Sequence, residues 1–182
     1  MASSLIKQLP NMLTTLRLIL AVPICLMILS EDYGAVLWIA FIAGLSDGVD
    51  GFLARKLNAV SRYGAIVDPI SDKVLLVSVY VSFAIVGLLP WWVATIVVIR
   101  DLLIVCGALL YHWQCGGYEI TPSLWGKAST FVQITFALML LTDQVYPLLT
   151  PLSFQVGMWS LIAMAFISGG HYFYVWSHKV LA

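Results

Sequence analysis

The sequence predicts an all-α polytopic membrane protein with six transmembrane helices and both termini in the cytoplasm. Three observations lead there. The 182 residues are 62% hydrophobic and only 10% charged, with mean hydropathy +0.98, whereas a water-soluble domain carries roughly 25% charged residues. The apolar residues gather in continuous stretches of spanning length, without the alternation of a membrane barrel. Lys and Arg fall on alternate connections only. The same composition excludes other classes. Disorder needs low hydrophobicity, and nine Lys+Arg against nine Asp+Glu leave no basic footprint for nucleic acid. Cys25, Cys106 and Cys115 have neither zinc-ligand nor disulfide spacing and read as apolar filler. The chain reads as one domain, residues 1–182.

A spanning helix takes about 20 mainly apolar residues. The first stretch, Asn11–Leu29, ends at Ser30-Glu31-Asp32. Its apolar run is longer than a signal-peptide core, it contains polar Asn11, Thr14 and Arg17, and no small-x-small cleavage site follows, so it reads as a retained helix. The second, Tyr33–Leu53, closes at the polar run Lys56 to Tyr63. The third, Ile66–Leu88, stops at Leu89-Pro90, and the fourth, Trp91–Trp113, at Gln114 to Pro122. The fifth is Ser123–Leu141, broken by Asp143 to Ser153, and the sixth is Phe154–Trp176. No connection can hold a soluble domain, and no repeat is present.

Lys7 precedes the first stretch, Arg55, Lys56 and Arg62 fill the second connection, Lys127 follows the fourth, and Lys179 follows the last stretch. The first, third and fifth connections have no Lys or Arg, only Glu31, Asp32 and Asp143. The positive-inside rule puts the cation-bearing connections and both termini in the cytoplasm.

Four of the nine acids, Asp47, Asp50, Asp68 and Asp72, bracket the second connection. A carboxylate in or near hydrocarbon is costly and marks a functional site by default. Asp47 and Asp50 are three positions apart, Asp68 and Asp72 four, so each pair shares a helix face. Two antiparallel helices joined by a short turn would gather all four, and the cluster would repel itself unless protons or cations neutralised it. Oxygen-only ligands favour a hard cation such as Mg²⁺ or Mn²⁺, and several acids can bridge two ions, as suits phosphoryl chemistry. Gly51 and Gly64 lie on the aspartate faces and leave room for a nucleotide and diphosphate. Arg55 and Arg62 offer guanidinium forks for phosphate. Gly44-x-x-x-Gly48 allows close helix approach, and plain packing explains that pair equally well; for Arg62 the positive-inside bias is explanation enough.

Asp47-Gly48-Val49-Asp50-Gly51-Phe52-Leu53-Ala54-Arg55, followed by Gly64-Ala65-Ile66-Val67-Asp68-Pro69-Ile70-Ser71-Asp72, resembles the signature of the CDP-alcohol phosphatidyltransferase family at all its defining positions. The resemblance covers essentially the whole chain. It implies a six-helix membrane fold, a homodimer, and two divalent cations, Mg²⁺ or Mn²⁺. It further implies that Asp47 and Asp68 are shared by both metals, that Asp50 completes one site and Asp72 the other, and that Asp72 is the general base toward the attacking hydroxyl. Gly51, Arg55, Ser61 and Gly64 resemble positions contacting the CDP portion of the donor, and Asn11, Thr14 and Arg17 resemble an N-x-x-T-x-x-R pattern bordering it; helix capping also explains Asn11. The implied reaction takes CDP-diacylglycerol, transfers its phosphatidyl group to an alcohol, and releases CMP at the cytoplasmic face of what would be a bacterial inner membrane.

Arg100 and Asp101 lie mid-span, as acceptor-binding groups or as a structural ion pair. Lys127, Thr130 and Gln133 are placed on one face of the fifth helix, with Lys127 either binding the acceptor or snorkelling. His171 and His178 read as interfacial residues, and Trp91, Trp92, Trp125, Tyr172 and Trp176 as an aromatic belt. Phosphatidylglycerophosphate synthases often carry a further arginine after an Arg-Glu pair and a G-K-x-K-T run. Here the chain reads Arg100-Asp101 with no such cation, and Gly126-Lys127-Ala128-Ser129-Thr130. Both departures favour phosphatidylglycerol as acceptor, giving cardiolipin, over glycerol-3-phosphate. A divalent-cation transporter or a non-catalytic membrane scaffold would be the competing classes. Transport sites lie near the midplane on interrupted helices, whereas these acids flank a cytoplasmic turn.

Overall fold

The computed structural model describes residues 19–42, 62–115 and 124–181, with side chains over 19–42, 73–107 and 124–172. Among the described residues there are six helices and no strands: α1 (Ile19–Leu29), α2 (Tyr33–Ile42), α3 (Arg62–Ile85), α4 (Trp91–Cys115), α5 (Leu124–Val145) and α6 (Pro151–Leu181). The chain divides into two compact units, Met1–Val86 and Gly87–Ala182.

In the first unit, α1 ends in a Schellman turn. The Glu31 N–H donates to Ile28 O at 3.0 Å and the Asp32 N–H to Met27 O at 2.9 Å. This motif places the residue just past the C-cap in the left-handed region, and that residue is Glu31 at φ 61° rather than a glycine. The Asp32 carboxylate then accepts the Ala35 N–H at 3.2 Å and caps α2. Ala21, Ile24 and Ile28 form the buried line of α1, and Leu76, Val79, Tyr80 and Phe83 that of α3. Both lines follow the helical i, i+3, i+4, i+7 spacing. The third stretch was expected to end at Leu88. The helix stops at Ile85 because Gly87, at φ 79°, turns the chain out of it.

In the second unit, the Pro90 carbonyl starts α4 by accepting the Val93 N–H at 3.0 Å. Helix α6 packs against both α4 and α5. The side chains set the directions. Trp92 lies beside Trp159 (ring centroids 6.3 Å) and Arg100 bonds Ser168, so α4 and α6 run parallel. Phe136 meets Phe154 (6.1 Å), Phe136 and Met139 lie against Gly157, and the five-residue connection 146–150 between these packed helices makes α5 antiparallel to α6. The sixth stretch was expected from Phe154, yet α6 starts at Pro151. Thr150 caps it: Thr150 Oγ1 accepts the Ser153 N–H at 3.2 Å, and Ser153 Oγ accepts the Thr150 N–H at 2.9 Å. This is a reciprocal capping box with serine at the third position and proline at the first.

Helices α5 and α6 carry windows long and apolar enough to cross a bilayer, Leu124–Val145 and Pro151–Tyr172. Only 33% and 28% of those windows is buried, so Leu124, Phe131, Leu152, Trp159 and Phe166 face outward. Apolar surface on that scale suits lipid, where a soluble monomer would be unstable to association. Trp91, Trp92 and Trp125 are also exposed.

Candidate functional site

The inward faces of α4, α5 and α6 each change character along their length. On α4 the buried line runs Val93, Ala94, Val97 and then Arg100 and Asp101. On α6 it runs Leu161, Ile162, Ala165 and then Ser168. On α5, which points the other way, Ser129 and Gln133 come first, then Phe136, Ala137, Leu140 and Leu141. The bundle therefore has an apolar layer toward the start of α4 and a polar layer farther along it.

The polar layer is hydrogen-bonded across all three helices. Arg100 Nη1 donates to Asp101 Oδ1 in a buried ion pair, and Arg100 Nη2 donates to Ser168 Oγ at 2.5 Å. Gln133 Nε2 donates to Asp101 Oδ2 at 3.2 Å. Arg100 is 4% exposed and Asp101 1%. Adjacent helical residues do not normally face each other. Here the long arginine bends back to its neighbour, and α6 and α5 supply the outer partners. Pairing offsets the cost of holding two charges out of water, while an apolar pair of similar volume would be as stable or more so. Arg100 Nε is buried with no hydrogen-bond partner among the described residues, and His171 Nδ1 likewise; Ser168 and His171 stand one turn apart on α6.

Among the other expected site residues, Lys127 is exposed in the first turn of α5. It does not share the face of Gln133, which is buried. Three-residue steps fall short of a full turn by about 60° each, so the line Lys127, Thr130, Gln133 winds off one face. The buried polar residue that shares the face of Gln133 along α5 is Ser129, four positions earlier. Asp68 and Asp72 both lie in α3, in the first half of one uninterrupted 24-residue helix, and a four-residue separation puts them on one face. That backbone and an all-oxygen donor pair fit a hard divalent cation. The side chains of Asp68, Asp72 and Gly64 lie outside the described residues, as do Asn11, Thr14, Arg17, Asp47, Asp50, Gly51, Arg55 and Ser61. Among the described residues, no three His, Cys, Asp or Glu side chains gather as a metal site. A wide-mouthed cavity of about 420 Å³ lies in the second unit at the apolar layer's end, between Trp92, Asp143, Thr150 and Phe154. Its one carboxylate, Asp143, is taken by the N–H groups of Leu148 and Leu149 at 2.9 and 2.7 Å.

Sequence reading missed Ser129 and Ser168. Their signal was their place in the helical ladder: Ser168 continues Leu161, Ala165 at the next inward position, facing Arg100.

The family model described as CDP-alcohol phosphatidyltransferase matches residues 7–168, running through both units. A Mycobacterium tuberculosis protein provisionally named cardiolipin synthase is 34% identical over 174 residues, 95% of this chain and 80% of its own. Human cardiolipin synthase (CMP-forming) is 25% identical over 188 residues, 94% of this chain and 62% of its own. The Bacillus subtilis CDP-diacylglycerol–glycerol-3-phosphate 3-phosphatidyltransferase is 27% identical over 185 residues, covering 91% and 93%. This chain belongs to the CDP-alcohol phosphatidyltransferase family, enzymes of phospholipid synthesis that use a CDP-alcohol and an alcohol acceptor.

Proposed function

We propose that the protein is a metal-dependent phosphatidyltransferase that forms cardiolipin from CDP-diacylglycerol and phosphatidylglycerol. A hydroxyl oxygen of phosphatidylglycerol attacks the phosphorus that bears diacylglycerol, the bond from that phosphorus to the CMP oxygen breaks, and CMP leaves. Asp72 takes the hydroxyl proton. Asp47, Asp50, Asp68 and Asp72 hold two divalent cations, Mg²⁺ or Mn²⁺. When bound, these neutralise the diphosphate and stabilise the leaving phosphate. Gly51, Arg55, Ser61, Gly64, Asn11 and Thr14 receive the CDP moiety, with Arg55 stabilising the charge that develops on CMP. Arg100 and Lys127 lie on the acceptor side.

The relatives include both a cardiolipin synthase and an enzyme named for glycerol-3-phosphate, so kinship alone leaves the acceptor open. One observation carries the choice: the second lysine of the G-K-x-K-T run is replaced by the buried Ser129 and no further arginine follows Arg100-Asp101, so among the described residues no second buried cation joins Arg100, which is paired with Asp101. Glycerol-3-phosphate brings a phosphomonoester that needs uncommitted cations, whereas phosphatidylglycerol offers a glycerol hydroxyl on a lipid. The reading includes one domain over residues 1–182, six spans, cytoplasmic termini and active site, a bacterial inner membrane and a homodimer. The alternation of Lys and Arg along the connections supports the orientation. The purified enzyme, given CDP-diacylglycerol and Mg²⁺ with phosphatidylglycerol and glycerol-3-phosphate offered in separate reactions, is expected to yield cardiolipin from the first, by product mass, and no product from the second. Phosphatidylglycerophosphate as the sole product would assign the other acceptor.

A further inference from the structure

We propose that the cavity at the apolar end of the second unit is a lipid site, which takes the primary ammonium headgroup of a membrane phospholipid between Asp143 and Trp92. The site lies away from the polar layer and does not depend on which alcohol the enzyme uses.

The cavity holds about 420 Å³, the size of a small-molecule site. Trp92, Phe154 and Met158 give it apolar walls, and Asp143, Thr150 and Gln155 supply its polar groups. Over residues 87–99 and 128–170, which include every residue lining it, Asp143 is the sole Asp, Glu, Lys or Arg. The N–H groups of Leu148 and Leu149 both go to Asp143 Oδ1, at 2.9 and 2.7 Å. Its Oδ2 has no hydrogen-bond partner among the described residues. An ionised oxygen so placed is best served by a cation that donates a hydrogen bond to it. A primary ammonium does so and a quaternary one does not. Trp92 lines the same cavity, and an indole face attracts an ammonium. An anion fits poorly. No Lys or Arg is at hand, and the first turn of α6, where helices usually receive anions, has few donors left. Pro151 has no N–H, Thr150 Oγ1 accepts the Ser153 N–H at 3.2 Å, and Thr150 O accepts the Phe154 N–H at 3.1 Å. An apolar stripe for a lipid tail adjoins the cavity. Leu152, Val156, Trp159 and Phe166 are exposed on α6 at spacings that share one face, and Trp159 lies against Trp92 (ring centroids 6.3 Å). That stripe runs about 21 Å along the helix, more than half of a ~30 Å hydrocarbon core.

The test is lipid binding by the purified full-length protein in detergent, titrated by native mass spectrometry. Phosphatidylethanolamine, phosphatidylcholine and phosphatidylglycerol with identical acyl chains are compared between the native protein and Asp143→Asn, which keeps Oδ1 for the two N–H groups and removes the charge. Affinity for phosphatidylethanolamine is expected to fall about tenfold, the worth of a hydrogen bond to a charged group, while the other two lipids stay within about twofold. No fall for phosphatidylethanolamine, or an equal fall for all three lipids, overturns the proposal. Should Asp143→Asn not fold, Trp92→Leu at an exposed position decides. It is expected to weaken phosphatidylethanolamine binding about threefold, and unchanged binding overturns the proposal. Glycerophosphoethanolamine, the same headgroup without tails, is expected not to displace the lipid at equal concentration. Displacement would overturn the lipid assignment in favour of a soluble amine.

Discussion

Arg100 on α4 donates from Nη2 to Ser168 Oγ on α6 at 2.5 Å, tying together two parallel helices at the level where their buried faces turn polar. Removing the serine hydroxyl leaves a charged donor buried without its partner, which costs about 1–3 kcal/mol. Ser168→Ala is therefore expected to lower the unfolding temperature in detergent. An unchanged temperature would mean that Arg100 finds another acceptor there.

The α5–α6 contact depends on a missing side chain. A Cβ on Gly157 would come within 2.7 Å of Phe136 Cδ2 and Cε2 and 2.8 Å of Met139 Cε. The methionine terminus can swing away, but Phe136 is buried and packed against Phe154. Gly157→Ala is expected to destabilise the protein by about 1–3 kcal/mol through overpacking. Gly34→Ala, whose Cβ would meet only Asp32 Oδ1 at 4.0 Å, is the contrasting case and is expected to be neutral or slightly stabilising. Thermal unfolding of the two variants side by side checks both.

Glu31 adopts φ 61° at the end of α1, a conformation that costs a side-chain-bearing residue about 1–2 kcal/mol. Glycine meets no such penalty but loses more chain entropy on folding. Glu31→Gly is expected to raise stability by about 0.5–1 kcal/mol, and a fall in the unfolding temperature would show that the Glu31 side chain has a use the turn does not reveal.

Much of this architecture was legible beforehand, and the departures have local causes. The continuous apolar runs gave the helices, and the turn residues gave the connections. The ends moved where a side chain outside the run took over the backbone. Thr150 pulled the start of α6 forward to Pro151. The polar run from Asp143 to Ser153 reads as the break after the fifth stretch, yet α5 continues to Val145, with the Tyr146 N–H still donating to Thr142 O at 2.7 Å and the Asp143 carboxylate accepting the Leu148 and Leu149 N–H groups beyond the helix end. In the site, Arg100 and Asp101 announce themselves as charges within an apolar run. Ser168 does not, because a serine in a membrane helix usually just satisfies its own backbone, and only its partner on another helix gives it a role. Gln133 was visible but assigned the wrong neighbours, since three-residue spacing drifts around a helix.

The base assignment has a direct consequence. Asp72→Asn keeps the oxygen and the shape but cannot take a proton. CMP release is expected to fall by roughly 10²–10⁴-fold, the range general base catalysis supplies, with the unfolding temperature near that of the native protein. Retained turnover would reassign the base.

In the proposed reaction, the four aspartates together hold the ions on which transfer depends. Titration of the metal-stripped enzyme with Mn²⁺, followed by the loss of the free-ion electron paramagnetic signal, counts those ions without any substrate. Two ions bound per chain are expected in the native protein, with Asp47→Asn or Asp68→Asn losing both, since each of these carboxylates is shared. Failure of the native protein to bind Mn²⁺, or an undiminished count in both variants, would contradict the claim.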